Sequence, residues 1–229
     1  MIYITGDVHG HFGRIKALCE HNKTTKDDVL IILGDVGINF NNVDVDRKKK
    51  QKLSKLPITI FSIHGNHEKR PNKIDTYCEI SWRNGVVYQE KEYPNLLFAK
   101  DGEIYDFDGK SVIAIGGAYS VDKYYRIASG YTWFEDEQPS DEIKAYVEAQ
   151  LEKRNWCVDI VLSHTCPFRY QPTEAFLQGI DQSTVDNSTE IWLDNIEEKL
   201  SYTKWYCGHF HTEKQIDKFE FMFENAHEF

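Results

Sequence analysis

No apolar run in this chain of 229 residues is longer than residues 29–33, far short of the roughly 20 residues that a membrane span needs. The first residues, Met1-Ile2-Tyr3-Ile4-Thr5-Gly6-Asp7, carry neither a basic segment nor a long apolar one, so no signal peptide is expected. Cysteine is scarce and odd in number: five residues, Cys19, Cys78, Cys157, Cys166 and Cys207, with no CxxC pair. That argues against a disulfide framework and for a reducing, cytoplasmic setting. Positive charge is also short, with 27 Lys and Arg against 37 Asp and Glu and a net charge of −10. A binder of long nucleic acid or of an anionic membrane is therefore disfavoured, whereas an enzyme with one local positive site is not. No Gly/Ser/Pro linker, internal repeat or low-complexity tract divides the chain. At about 150 residues per domain, a single domain over residues 1–229 is expected. Nothing in the sequence sets an oligomeric state.

What is present is a globular composition, 41% hydrophobic and 14% aromatic, enough for a sizeable core. Runs at residues 2–4, 29–33, 58–63, 112–115, 160–162 and 205–207 read as mostly buried strands. Helical patterns lie between them. One covers residues 14–22, with Ile15, Leu18 and Cys19 as its stripe, and a charged one covers 44–56 and ends at Pro57. Another starts at Ser140, a good N-cap, and runs to about Asn155 with Asp141 and Glu142 in its first turn, where they suit the helix dipole. Trp192, Ile196 and Leu200 mark a further helix. Residues 86–115 carry turn signals at Asp101-Gly102 and Asp108-Gly109 and read as antiparallel hairpins. The alternation predicts a mixed α/β sandwich.

The placement of the nine histidines is more informative than the charge. Five predicted strands run into polar clusters: Gly6-Asp7-Val8-His9-Gly10, Gly34-Asp35, His64-Gly65-Asn66-His67-Glu68, Ser163-His164 and Gly208-His209-Phe210-His211. Residues i and i+2 of an extended segment face the same way. Asp7 with His9, and His209 with His211, are thus expected to make two clamps, with glycines permitting close approach. Ligands of α/β sheets collect beyond the carboxyl ends of the strands. Two carboxylates, an amide and four imidazoles meeting there would suit transition metals, in a number beyond one ion's needs. A carboxylate such as Asp35 could bridge two ions about 3.5–4 Å apart.

In content and order, these blocks resemble the calcineurin-like metallophosphoesterase family. Its pattern is Asp-x-His, Gly-Asp, Gly-Asn-His-Asp/Glu, a lone His and Gly-His-x-His, and here the blocks cover residues 7–211. The resemblance implies a four-layer αββα sandwich, two mixed β-sheets flanked by helices. It also implies two divalent metal ions, manganese favoured, with iron, zinc, nickel or magnesium as alternatives. Asp7, His9 and His211 would hold the first ion and Asn66, His164 and His209 the second, with Asp35 between them. His67 would face the substrate, steadying the phosphoryl oxygens and protonating the leaving oxygen. The implied reaction is hydrolysis of a phosphate mono- or diester by a metal-bridging hydroxide in line with the leaving group. Two divalent ions, two aspartates and one hydroxide sum to about +1, a local sign opposite to that of the whole chain.

The sequence departs from the protein Ser/Thr phosphatase branch after Gly34-Asp35. There it reads Val36-Gly37-Ile38-Asn39-Phe40, without that branch's second Asp and its Arg. A small-molecule or nucleotide-like phosphate ester is therefore favoured over a phosphoprotein. A nuclease would need added DNA-binding elements for which the length leaves little room. A non-catalytic scaffold is the third alternative, opposed by the complete set of expected ligands. Asn39 is a candidate to orient His67, and Arg70 and Arg126 are candidates to clamp a phosphate oxygen. The aromatic tract 124–134 would stack on a substrate ring or pack beneath a loop. The run Arg47-Lys48-Lys49-Lys50, with Lys52 and Lys55, reads as a solvated helix face. His11, His21, His64 and His227 fall outside the pattern, His64 being placed in the core or behind a ligand. Cys166 is not needed by the constellation.

Overall fold

A computed structural model describes residues 1–40 and 42–229. The first sheet starts with β1 (Ile2–Thr5), β2 (Val29–Ile32) and β3 (Thr59–Ser62), which run parallel with Tyr3, Leu30 and Ile60 in one register row. The chain then adds β4 (Tyr77–Trp82), β5 (Gly85–Glu90) and β6 (Leu96–Ala99), of which β6 joins β3 in parallel while β5 and β4 follow antiparallel. The second sheet holds β7 (Ile104–Phe107), β8 (Lys110–Ile115), β9 (Ile160–Ser163), β10 (Lys204–Cys207), β11 (Lys214–Ile216) and β12 (Phe219–Phe221). In it β8, β9, β10 and β12 are parallel, edged by antiparallel β7 and β11. Finally β13 (Ala226–Glu228) returns to the first sheet beside β1.

Five helices are described: α1 (Gly13–Asn22), α2 (Val43–Ser54), α3 (Lys123–Ser129), α4 (Asp141–Lys153) and α5 (Ser188–Glu197). The strands explain the layering. Ile2, Ile4, Val29 and Ile31 enter the space between the sheets, whereas Tyr3, Leu30 and Ile32 face outward to meet Ile15 and Cys19 of α1 and Leu53 of α2. The second sheet repeats this: Val112, Ala114 and Leu162 point inward, and Ile113 and Val161 pack on Val147 and Leu151 of α4 and on Leu193 and Ile196 of α5. A strand buried on both faces needs apolar residues at every position rather than every other one, which is why the predicted runs are unbroken. The result is the expected αββα sandwich.

Ser140 caps α4 as expected, accepting from the Ile143 N–H at 3.4 Å, and Asn42 caps α2 by accepting from the Val45 N–H at 3.1 Å. Two expectations need correction. The Asp101-Gly102 turn makes no hairpin; it carries the chain from β6 in one sheet to β7 in the other. Its aspartate is spent on that join, taking the Gly116 N–H at 2.7 Å and Arg70 at 2.5 Å. Of the two turn signals, Asp108-Gly109 is the one that closes a hairpin, between β7 and β8. The basic helix is not solvated throughout, because Lys50 is buried and pairs with Glu90 at 2.5 Å. The short, half-exposed β4, β11 and β13 carry too little apolar signal to be read from the sequence.

Phe61 is fully buried at the centre of the sandwich, with ring centroids 5.1 Å from Trp82, 4.9 Å from Tyr105 and 5.4 Å from Phe107. Phe61→Ala is expected to destabilise the fold by about 3–5 kcal/mol, read as a lower midpoint in urea denaturation at unchanged slope.

Candidate metal centre

The five motif blocks follow the carboxyl ends of β1, β2 and β3 in one sheet and β9 and β10 in the other, so the crevice straddles both sheets. The loops remain bonded to one another past the strand ends. The His9 N–H donates to Asp35 O at 2.7 Å, the His164 N–H to Ile115 O at 3.1 Å, and the Gly208 N–H to His164 O at 3.0 Å. Asp7 and His9 do fall in one donor group, though strand alternation does not bring them together; the expected clamp of His209 with His211 does not form, because His209 Nδ1 stands 3.1 Å from Asn66 Oδ1 and His211 Nε2 stands 3.2 Å from Asp7 Oδ2. His9, Asp35, His209 and His211 have φ of 49°, 49°, 65° and 49°, left-handed values that are uncommon outside glycine. Each such residue turns the chain back, and the turns aim the side chains into the crevice.

Asp7 and Asp35 form the floor of the site, and both are buried. Asp7 Oδ1 accepts from the His209 N–H at 2.9 Å, and Asp35 Oδ1 accepts from the His67 N–H at 2.8 Å. Their second oxygens face imidazoles. Asp7 Oδ2 lies 3.2 Å from His211 Nε2 and 3.7 Å from His9 Nε2. Asp35 Oδ2 lies 3.8 Å from His164 Nε2 and 4.0 Å from His9 Nδ1. Burial alone would raise Asp7, but the bond from His211 and the neighbouring imidazoles overcome it and hold the carboxyl below its usual range. Burial leaves Asp35 raised. Burial also pushes His9 down to about 4 and His209 well below its ordinary value, whereas the bond to Asp7 raises His211.

Two groups have the reach of metal donors: Asp7, His9 and His211, and Asp7, Asp35 and His164, with ligand atoms all within 4.8 Å of one another in each group. Asn66 completes the second side, its Oδ1 standing 2.7 Å from His164 Nε2 and 3.1 Å from His209 Nδ1. His164 Nδ1 is 2.7 Å from Leu33 O. A carbonyl only accepts, so this nitrogen carries the hydrogen, and in a neutral ring Nε2 turns a lone pair toward the Asn66 oxygen. His9 Nε2 and His211 Nε2 lie 2.9 Å apart. N and O donors converging at such distances suit a divalent transition ion. Three motif glycines make the approach possible. A side chain at Gly34 would strike His164, one at Gly65 would strike Asp35, and one at Gly208 would strike Asp7.

His67 stands at the wall rather than the floor, with ring contacts to His9 at 5.8 Å and Phe40 at 6.3 Å. Burial lowers it, and Asp35 opposes that. Asn39 does not orient it, since Asn39 Nδ2 donates to Tyr77 Oη at 3.0 Å. Of the two arginines, Arg126 lines the cavity with its Nε held by Asp122 at 2.8 Å, whereas Arg70 is buried on Asp101. The cavity measures about 1610 Å³. Beyond the metal donors it is walled by Phe176, Ile180, Val185, Phe210 and Glu190, and no spacing in the sequence marks Phe176 or Glu190. The tract 124–134 splits: Phe134 packs on Phe40 at 6.2 Å, while Tyr124, Tyr125 and Tyr131 are exposed. His64 is buried without a hydrogen-bond partner on either nitrogen among the described residues, and so orients no ligand. Cys166 belongs to the outer core of the second sheet.

A crevice of buried carboxylates and imidazoles between two sheets defines a metal-dependent hydrolase. The chain belongs to the calcineurin-like phosphoesterase family, whose family model matches residues 1–213, and it is accordingly a phosphoester hydrolase. Among solved structures, TT1561 of Thermus thermophilus is similar, with a TM-score of 0.53 and 10% identity over 97% of this chain and 87% of that one. A second solved structure gives 0.52 and 14% over 96% and 88%. Identities this low speak for the fold alone, and they support the two-sheet sandwich. No curated protein matches. Among the described residues no helix is long and apolar enough to cross a membrane.

Metal binding must displace protons from the imidazoles. His211, held up by Asp7, protonates before His9 or His209 as pH falls. Calorimetric metal titrations at decreasing pH are expected to show affinity falling first through protonation of His211 and only at lower pH through His9 and His209.

Proposed function

We propose that the chain is a dinuclear metal-dependent phosphoesterase of the cytoplasm, acting as one domain over residues 1–229 on a small or nucleotide-like phosphate ester. The observation that carries this reading is the meeting of Asp7, His9, Asp35, Asn66, His164, His209 and His211 at one end of a cavity whose wall holds His67 and Arg126. Asp7, His9 and His211 would hold one ion and Asn66, His164 and His209 the other. Asp35, which faces His9 and His164 at once, would lie between them. When bound, divalent ions supply an acidified water as nucleophile and neutralise phosphoryl charge. The imidazoles of the donor set suit Zn, Fe or Ni and its carboxylates and amide suit Mn or Mg, so cellular supply decides among them, with manganese our favoured ion.

The chain's own residues do the rest. Arg126 offers a guanidinium to a phosphoryl oxygen. His67 lines the same cavity beside Asp35 and can pass a proton to the leaving oxygen. A phosphate brought beside it favours the imidazolium against the effect of burial. The remaining wall favours a flat organic group on the ester. Phe176 and Phe210 are near-parallel, their centroids 6.3 Å apart at 18°, and the second oxygen of Glu190 is buried without a hydrogen-bond partner, free to take a polar edge. A mixed apolar wall with a few polar groups is what a small ligand needs. Five unpaired cysteines fit a reducing compartment.

The Mn²⁺-loaded protein is expected to hydrolyse bis-p-nitrophenyl phosphate or p-nitrophenyl phosphate, and inactivity on both with every candidate metal would favour a scaffold. His67→Ala should keep both ions by elemental analysis yet lower kcat by about 10²–10⁴-fold; loss of metal instead would refute its role. Phe176→Ala should raise KM for a nucleoside monophosphate by roughly 5–100-fold, the range of base stacking, and leave KM for ribose 5-phosphate unchanged.

A further inference from the structure

Asn66 differs from the other proposed ligands in having two unlike ends. Its amide shows an oxygen on one side and an NH₂ on the other, and only the oxygen can hold a cation. The two orientations differ by a half-turn about one soft torsion, so the surroundings must choose between them. In this protein the choice lies with the loop after β8. Asn66 Nδ2 donates to Ser120 Oγ at 2.8 Å. Ser120 Oγ donates in turn to Glu137 Oε2 at 2.5 Å, and the Ser120 N–H donates to Glu137 Oε1 at 3.1 Å. All three side chains are buried at 2% exposure, so water does not compete for these bonds.

The direction of the chain of bonds follows from counting hydrogens. A hydroxyl has one, and Ser120 spends it on the carboxylate. Its oxygen is then only an acceptor toward Asn66 and demands the NH₂ end. The carbonyl end is thereby turned to His164 and His209. Glu137 matches two acceptors to the two donors of Ser120, which a glutamine amide cannot do. Glu137 is itself fixed by its backbone: the Ala118 N–H donates to Glu137 O at 3.2 Å, and Arg70 Nε donates to Asp136 O at 2.8 Å. Arg70, a phosphate-clamp candidate in the sequence, thus holds the segment that holds Ser120.

We propose that Ser120 and Glu137 are positioning residues that fix the amide of Asn66 and through it the second metal site, an inference that rests on reading Asn66 as a ligand. The test titrates Mn²⁺ into the metal-free full chain and counts bound ions by equilibrium dialysis with elemental analysis. Ser120→Ala and Glu137→Gln should weaken the second ion by about 10–100-fold, as loss of such outer partners does, while the first ion stays near wild type and the melting temperature falls by only several degrees, as loss of a buried hydrogen bond does. Ser120→Thr keeps the hydroxyl and should restore binding. An Asn66→Asp background removes the need for orientation, because a carboxylate offers oxygen either way. Adding Ser120→Ala there should change second-ion affinity little. Unchanged affinity in Ser120→Ala alone, or equal weakening in the Asn66→Asp background, overturns the positioning role while two ions in the wild type leave the proposed function standing. A wild type that binds no second ion overturns both.

Discussion

Two aspartates buried side by side are the constraint on which the rest of the structure depends. Asp7 and Asp35 are 2% and 1% exposed, and an ionised carboxylate taken from water without compensation costs several kcal/mol. The fold meets that cost with a division of labour. One oxygen of each takes a backbone N–H, Asp7 from His209 in the second sheet's loop and Asp35 from His67 in its own sheet's loop. The other oxygen of each is left for imidazoles. Backbone donors at these positions require the loops to come within van der Waals contact of the carboxylates, and that is why Gly34, Gly65 and Gly208 stand where any side chain would collide.

The sandwich supplies the rigidity this arrangement needs. Parallel strands joined through helices aim their carboxyl ends the same way, so residues far apart in sequence leave both sheets at one rim. Cores on both faces of each sheet fix the heights of those ends. The left-handed turns at His9, Asp35, His209 and His211 cost free energy and persist only where neighbours over-determine them. Here the inter-loop bonds past the strand ends do that.

The fold and the crevice are legible in the sequence because both write periodic or local signals. Doubly buried strands such as β1, β2 and β9 appear as short unbroken apolar runs, and the polar cluster after each run marks its carboxyl end. Of the two clamps the spacing suggests, Asp7 and His9 do meet, through a reversed turn and not through strand alternation, while the turns at His209 and His211 send those side chains to different partners. What stays hidden has no linear signature. Ser120 and Glu137 act across 17 residues, and Ser120 meets Asn66 across 54. Asp101 has the look of hairpin punctuation, yet its side chain is occupied in joining the sheets. Phe176 sits on a loop whose only cue is composition. Lys50 shows the opposite error, since a charge run reveals nothing about which of its members finds a buried partner.

Charge and burial together suit the floor of the site to cations. The chain carries −10 overall, and before any cation arrives the floor of the crevice adds the anionic Asp7 beside a cavity that also includes Asp122, Glu190 and Glu224. Arg14, Lys49 and Arg126 also line it, but each is engaged, Arg14 with Phe223 O at 2.8 Å, Lys49 with Gly37 O at 2.9 Å and Arg126 with Asp122 at 2.8 Å. The floor itself, with Asp7 held ionised among imidazoles, suits a cation rather than a phosphate oxygen. It attracts divalent ions, and neutral, desolvated imidazoles such as His9 and His209 lose less in giving up water to them than charged ones would. Divalent ions in the two proposed sites would add the positive charge that a phosphate ester needs there. The orientation of one amide at Asn66 then decides more than a single bond: with its NH₂ turned inward the proposed second site would offer a cation one donor fewer, and that share of the positive charge would be lost.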